Sequence, residues 1–293
     1  MKLWRIQLHY LPACLLMLTV VTPSHAQTVD AKLQSGIRLT ASFHQGNSSA
    51  TALLILHGFL QTGLSEPINA LASNLDQKGY TTLRPTTSLM ISSRKQSMPC
   101  EAMHTHTVEQ DMSEIDYWFK WLQHKGYSRI VMIGFSSTGN FETLQYSENK
   151  PSPMLDRLIL ISLNPVAVDP AEKTRAQALL QKGYSRHGQY PRLYTLGYCR
   201  RNYAATLNSY ASFARYDEDQ VLQLLAGNKL PLNIIFGGND TILPAEWISR
   251  ISALHSSAEI SVIPNANHFF DGTSEFDLAE AVENILKKET ALP

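Results

Sequence analysis

Cysteine is scarce in this chain, three in 293 residues, and neither sign of charge prevails: 25 lysines and arginines face 25 aspartates and glutamates. The first scarcity excludes a fold that depends on a dense disulfide framework. The second removes the footprint of a nucleic-acid-binding protein, since no basic patch or acidic tail stands out along the chain. No internal repeat is visible. No G-x-G-x-x-G follows an early apolar run, so a nicotinamide or flavin cofactor has no fingerprint here and no cofactor is expected. After residue 26 no apolar stretch reaches the length of a membrane-spanning helix, so stable membrane insertion is not expected.

What is present begins with a leader. Lys2 and Arg5 form a basic start, residues 11–21 are apolar but for Pro12 and Thr19, and Ser24-His25-Ala26 is a small-x-small cleavage site. The pattern reads as a secretory signal peptide over 1–26, cleaved near Ala26, and it implies a periplasmic or secreted protein. Cys14 lies inside the apolar run and leaves with the leader. Removing 26 of 293 residues leaves 267, enough for one domain over 27–293. Lys2 and Arg5 leave too, so 23 basic residues remain against 25 acidic, a formal net charge of −2. Cys100 and Cys199 are candidates for a disulfide in an oxidising compartment. It would close a loop of about 100 residues, worth a few kcal/mol in the chain-entropy picture.

Apolar runs at 130–133 and 155–163 read as buried strands and 51–56 as an apolar central strand; 80–83, stopped by Arg84-Pro85, 232–236 and 258–263 read as further strands. Helical patterns at 66–78, 108–125, 246–254 and 275–286 fall between or after them. Thr107 with Gln110 makes a capping box for the second helix. The alternation calls for a mostly parallel sheet with helices on both faces, preceded by an antiparallel hairpin over 29–44. Residues 86–105 lack periodicity and read as a surface excursion. Residues 164–229 are irregular, with helical pieces at 171–182, 203–215 and 217–225. They carry Tyr184, Tyr190, Tyr194, Tyr198, Tyr203, Tyr210 and Tyr216, most of which are expected to pack this segment onto the body.

The run RIVMIGFSSTGN at 129–140 organises the rest: strand, abrupt small-residue turn, helix. Such a turn lifts Ser136 off the strand end above the free N–H groups of the next helix. Gly134, Phe135, Ser136 and Ser137 resemble the G-x-S-x-G nucleophile elbow of the α/β-hydrolase superfamily. Thr138 departs from that pattern: the family has glycine there, and here Gly139 comes one residue late, so a β-branched side chain is expected to crowd the preceding strand. Ser137 is the alternative nucleophile, but that register puts Phe135 at the glycine position and lengthens the strand.

The resemblance extends to His57-Gly58 after an early strand, to the Gly-Gly-x-Asp-x-x-x-Pro loop holding Asp240, and to the Pro-x-x-x-His loop holding His268. It implies an α/β-hydrolase fold with a helical lid insertion over 164–229. It also implies a Ser-His-Asp triad of Ser136, His268 and Asp240, and an oxyanion hole formed by the backbone N–H groups of Phe59 and Ser137. The chemistry needs these types: the hydroxyl is inert until a base takes its proton, and an acid must orient that base. Asp169 is a rival acid, but Pro170 and a helix start explain it locally. His57, His104 and His106 are candidates for the substrate rim. His104 and His106 share one face if extended and could hold a metal with Glu109 or Asp111; third and fourth ligands are not evident, so no metal is expected. The implied activity is a carboxylesterase-like serine hydrolase acting on a small-molecule ester. The alternatives are an amidase or peptidase of the same fold, or a non-catalytic binding protein on this scaffold.

Overall fold

The computed structural model describes residues 26–48, 50–184, 192–254 and 258–288. Apart from Ala26, the expected leader lies outside the described residues, as does Tyr190. An eight-stranded sheet forms the centre. Its strands are β1 (Gln27–Lys32), β2 (Arg38–His44), β3 (Thr51–Leu56), β4 (Thr82–Thr86), β5 (Arg129–Phe135), β6 (Leu155–Ile161), β9 (Leu232–Gly237) and β10 (Glu259–Ile263), in the order β1-β2-β4-β3-β5-β6-β9-β10. The first two pairings are antiparallel, and from β4 onward the sheet is parallel.

Alternation along the central strands feeds two cores. In β5, Ile130 and Met132 join the core that packs α2 (Val108–His124) and α3 (Ser136–Asn149). Val131, Ile133 and Phe135 join the opposite one, under α1 (Ile68–Gln77) and α8 (Ser274–Lys288). Each such aliphatic side chain contributes roughly 1.5–3 kcal/mol by leaving water. That two-sided burial is why the run reads as continuously apolar. At the start of α2 the Thr107 N–H donates to Gln110 Oε1 at 2.9 Å, closing the expected box.

Three expectations are corrected. Strand β4 runs through Arg84-Pro85 instead of stopping there. It pairs with β3 only at Thr82 and Leu83. Beyond Leu83 that side has no ladder, so the missing N–H of Pro85 is tolerated. Residues 86–105 are a surface excursion only in part: residues 90–92 and 95–97 are exposed, but Thr87, Ser88, Arg94, Cys100 and His104 are buried and anchor the segment. And the segment between β6 and β9 is not purely helical. It contains α4 (Pro170–Gln181), the ribbon β7 (Arg192–Leu196) and β8 (Cys199–Ala205), α5 (Leu207–Ala214) and α6 (Glu218–Gly227). Tyr203 therefore lies on a strand. The signal was a two-residue Gly197-Tyr198 turn between alternating runs. The remaining helix, α7 (Trp247–Leu254), precedes β10.

Candidate active site

Five loops converge beyond the carboxyl ends of β3, β5, β6, β9 and β10, where an open parallel sheet places its ligands. At the end of β5 the chain turns into α3 with φ +58° at Ser136. A left-handed non-glycine residue stores about 1–3 kcal/mol and persists only where its surroundings hold it. Asn140 is one such support: its Nδ2 donates to the Ser136 carbonyl and, at 2.8 Å, to the Ile161 carbonyl of β6. The sequence reading missed it, because an asparagine inside a helix gives no linear signal. Gly134 and Gly139 allow the close approach, since a Cβ on Gly134 would meet the Gly139 carbonyl oxygen at 2.4 Å. The expected crowding does not fall on Thr138. Its side chain is buried, and the residue against the neighbouring strand is Gly139.

Ser136 Oγ lies 2.8 Å from His268 Nε2, and His268 Nδ1 lies 2.7 Å from Asp240 Oδ2. A carboxylate only accepts, so Nδ1 carries the proton and Nε2 is left to accept from the serine. The structure thus brings Ser136, not Ser137, to the histidine. Asn164 Oδ1, at 3.3 Å, is a weaker second acceptor for the same hydroxyl. The backbone that carries the imidazole is held as well, because Ser162 Oγ donates to the His268 carbonyl at 2.7 Å. The other oxygen of Asp240 accepts from the Ile242 N–H at 2.8 Å. Its loop is stitched to the histidine loop by Asn239 N–H donating to Ala266 O at 2.8 Å. Asp169 sits apart and caps α4, accepting from Ala171 and Glu172 N–H.

Phe59 and Ser137 line the same cavity as Ser136 and His268, a cleft of about 1160 Å³. Ser137 lies in the first turn of α3, where backbone N–H groups have no intrahelical carbonyl. The Phe59 loop is fixed by His57 and Arg94. His57 is buried, not on the rim: Nδ1 donates to the Gly58 carbonyl at 2.8 Å and Nε2 accepts from Thr87 N–H at 3.2 Å. Burial, with the Arg94 charge adding to it, lowers its pKa to about 3, so it stays neutral. Arg94, which sequence reasoning missed, donates to the carbonyls of Thr87, Gln96 and Gln61 at 2.8, 2.8 and 2.6 Å. Those bonds turn the expected surface excursion into a packed strut.

His104 and His106 are likewise buried and line no part of this cavity, which corrects their assignment to the rim. His104 stacks on Tyr203 at 4.4 Å and its backbone N–H donates to Ala204 O at 2.8 Å. His106 packs against Phe213 at 5.1 Å, and burial lowers its pKa to about 3. Neither ring nitrogen of His106 has a hydrogen-bond partner among the described residues. Cys100 and Cys199 are disulfide-bonded, with Cα atoms 5.6 Å apart, joining the strut to the ribbon. Tyr194, Tyr203, Tyr210 and Tyr216 are buried packing residues, Tyr184 is exposed, and Tyr198 faces the cleft, edge-on to Phe59 at 5.5 Å. Three acids are buried on two helices, Asp111 and Glu114 on α2 and Glu142 on α3. Burial raises the pKa of each, and the negative charges of Glu142 and Glu114 raise Asp111 further.

The fold class follows from the topology: a mostly parallel eight-stranded sheet with helices on both faces, a strand-turn-helix at Ser136, and structural likeness to known proteins. The chain has the α/β-hydrolase fold. It is similar in structure to Est1E from Butyrivibrio proteoclasticus (TM-score 0.63, 19% identity, covering 92% of this chain and 100% of the other). A thermophilic esterase from Thermogutta terrifontis gives a TM-score of 0.61 at 18% identity, over 90% of this chain and 99% of the other. The Pyrococcus furiosus esterase PF2001 gives 0.60 at 16% identity, over 90% and 91%. No family profile matches the sequence, and no curated protein is similar to it in sequence.

Proposed function

We propose that this protein is an exported serine hydrolase of carboxylesterase type, cleaving a small-molecule ester. The observation that carries the reading is the unbroken chain from Ser136 Oγ to His268 to Asp240, at 2.8 and 2.7 Å, on the wall of the cleft. In this reading Ser136 Oγ attacks the acyl carbon as its proton passes to His268 Nε2, and Asp240 stabilises the resulting imidazolium. The backbone N–H groups of Phe59 and Ser137 receive the negative charge on the carbonyl oxygen. Collapse expels the alcohol, which takes the proton from His268. Water then repeats the sequence on the acyl-enzyme and regenerates the serine. The segment 164–229 serves as the cap over the cleft, supplying Tyr198 to its wall.

The esterase descriptions of structures sharing this fold support the ester reading over the amide and peptide ones. The leader over 1–26 and the Cys100–Cys199 bond both suit an oxidising compartment. A binding-only role had Thr138 as its sequence argument, and that argument weakens because Gly139 makes the close approach. The test is labelling of the purified protein with a fluorophosphonate probe, located by peptide mapping. Stoichiometric label at Ser136 that disappears in Ser136→Ala and drops sharply in His268→Ala is expected. A folded protein that takes no label sinks the proposal.

A further inference from the structure

Arg200 and Arg201 are both exposed and both line the cleft that holds Ser136. Consecutive strand residues ordinarily point to opposite faces, so two neighbours on one cavity need a cause. The ladder supplies it. Tyr194 pairs with Tyr203 and Leu196 with Cys199, so Arg200, Arg201 and Asn202 together oppose Thr195 alone. Bulges of this kind re-aim side chains beside active sites. Arg201 also has φ +59°, a left-handed backbone that a long side chain adopts only when its flanks are held. Here they are: Cys199 is bonded to Cys100, Asn202 Nδ2 donates to Glu101 Oε1 at 2.7 Å, and Ala204 N–H donates to Cys100 O at 2.9 Å.

The charge balance of the cleft gives the bulge a purpose. Two acids on its wall, Asp217 and Glu218, are already paired with Lys173 and Arg250 respectively. Asp240 is committed to His268. Among the described residues Arg200 and Arg201 have no ion-pair partner, so two positive charges face the cavity uncompensated. Tyr198, on the turn just before the bulge, adds an aromatic surface beside them. A guanidinium fork matches a planar carboxylate with two parallel hydrogen bonds.

We infer that the ribbon bulge is an anion-recognition subsite, and that the substrate is an ester carrying a carboxylate, or a like anionic oxygen group, away from the bond that is cleaved. This rests on the serine-hydrolase reading. It assigns Arg200 and Arg201 to substrate selection and leaves the chemistry to Ser136, His268 and Asp240.

The test compares matched ester pairs. Mono-p-nitrophenyl adipate is set against p-nitrophenyl methyl adipate, with the anion on the acyl side. 4-Carboxyphenyl butyrate is set against its methyl ester, with the anion on the alcohol side. In at least one pair the wild type is expected to favour the anion in kcat/KM by about tenfold or more, an advantage that added salt erodes. Arg200→Gln/Arg201→Gln brings the ratio towards one, whereas Arg192→Gln, on the same ribbon but outside the cleft, keeps it. A ratio near one in the wild type for both pairs, or one unmoved by the double substitution, overturns the inference. Calorimetry on Ser136→Ala with monomethyl adipate and dimethyl adipate asks the same question without turnover. There, selective binding of the anion that the arginine substitutions abolish supports the subsite, and its absence counts against it. Absent fluorophosphonate labelling would defeat the hydrolase reading separately.

Discussion

The Cβ that Gly139 lacks would lie 2.6 Å from the carbonyl oxygen of Leu56. The helix that carries Ser136 therefore touches the end of β3 backbone to backbone, close to the loop that presents Phe59. The carbonyls at the end of β3, Leu56, and just past it, His57, are main chain and cannot yield as a flexible side chain would. Gly139→Ala is expected to cost about 2–4 kcal/mol, in the range of severe overpacking. Denaturant unfolding checks the stability, and slowed fluorophosphonate labelling checks the coupled loss at the elbow.

Thr138→Gly gives the opposite lesson. It restores the glycine expected two residues after the nucleophile, yet the close backbone approach to β3 is already made by Gly139. Glycine inside α3 lies only slightly below threonine in helix propensity, so the variant is expected to lose about 0.3 kcal/mol of stability on that account and to gain nothing in kcat. A several-fold rise in kcat would restore Thr138 as an impediment.

Most of this architecture was legible in one sequence. The two-sided strands β3, β5, β6 and β9 announce themselves because burial on both faces demands continuous apolar runs. Ser136 and Asp240 stand just beyond such runs and His268 beyond the edge strand β10, so their positions follow from strand ends. Arg94, Asn140 and Asn164 were not legible, because each acts through partners distant in sequence or across a helix turn. His57, His104 and His106 were misread as rim residues for a related reason. A histidine in a polar, aperiodic stretch looks exposed until the strut and ribbon close over it. The β7–β8 ribbon was hidden by tyrosines whose spacing also fits helices.

His106 should shape the acid limb of stability. Its pKa, lowered to about 3 by burial, leaves it neutral in the folded protein, whereas the unfolded chain takes up the proton near 6.5. Its contribution is present above about 6.5 and is lost as pH falls towards 3, at up to roughly 1.4 kcal/mol per pH unit. His57 behaves alike and keeps part of the slope. His106→Leu is expected to unfold less steeply with falling pH than the wild type. Parallel melting profiles between pH 6 and 4 would contradict this.

Glu142 acts in the other direction. Burial, and next the charge of Glu114, hold its pKa well above the ordinary carboxyl range. The folded protein then keeps a proton that the unfolded chain releases above about 4.3, so stability falls as pH rises from there towards the folded-state pKa. Glu142→Gln cannot ionise and removes a neighbour that raises Asp111. Relative to wild type, its melting temperature should gain more at pH 8 than at pH 5. A difference independent of pH would mean that Glu142 carries no excess proton.

Arg94 tests whether the strut serves catalysis or only the fold. Its guanidinium bonds the carbonyls of Gln61 and Thr87, and Thr87 in turn donates to His57, whose other nitrogen grips Gly58. The position of the Phe59 N–H is therefore set through a relay that begins at Arg94. Its own pKa is lowered to about 10, by burial above all, so it remains charged at neutral pH. Lysine would keep the charge but not the planar spread of donors, and at least one carbonyl would go unmet. Losing one oxyanion donor costs about a hundred- to a thousandfold in kcat, and misplacing it costs part of that. Arg94→Lys is accordingly expected to lower kcat by roughly ten- to a hundredfold at a nearly constant KM. A merely structural arginine would instead lower the melting temperature and leave kcat per labelled site unchanged, which separates the two roles in a single titration.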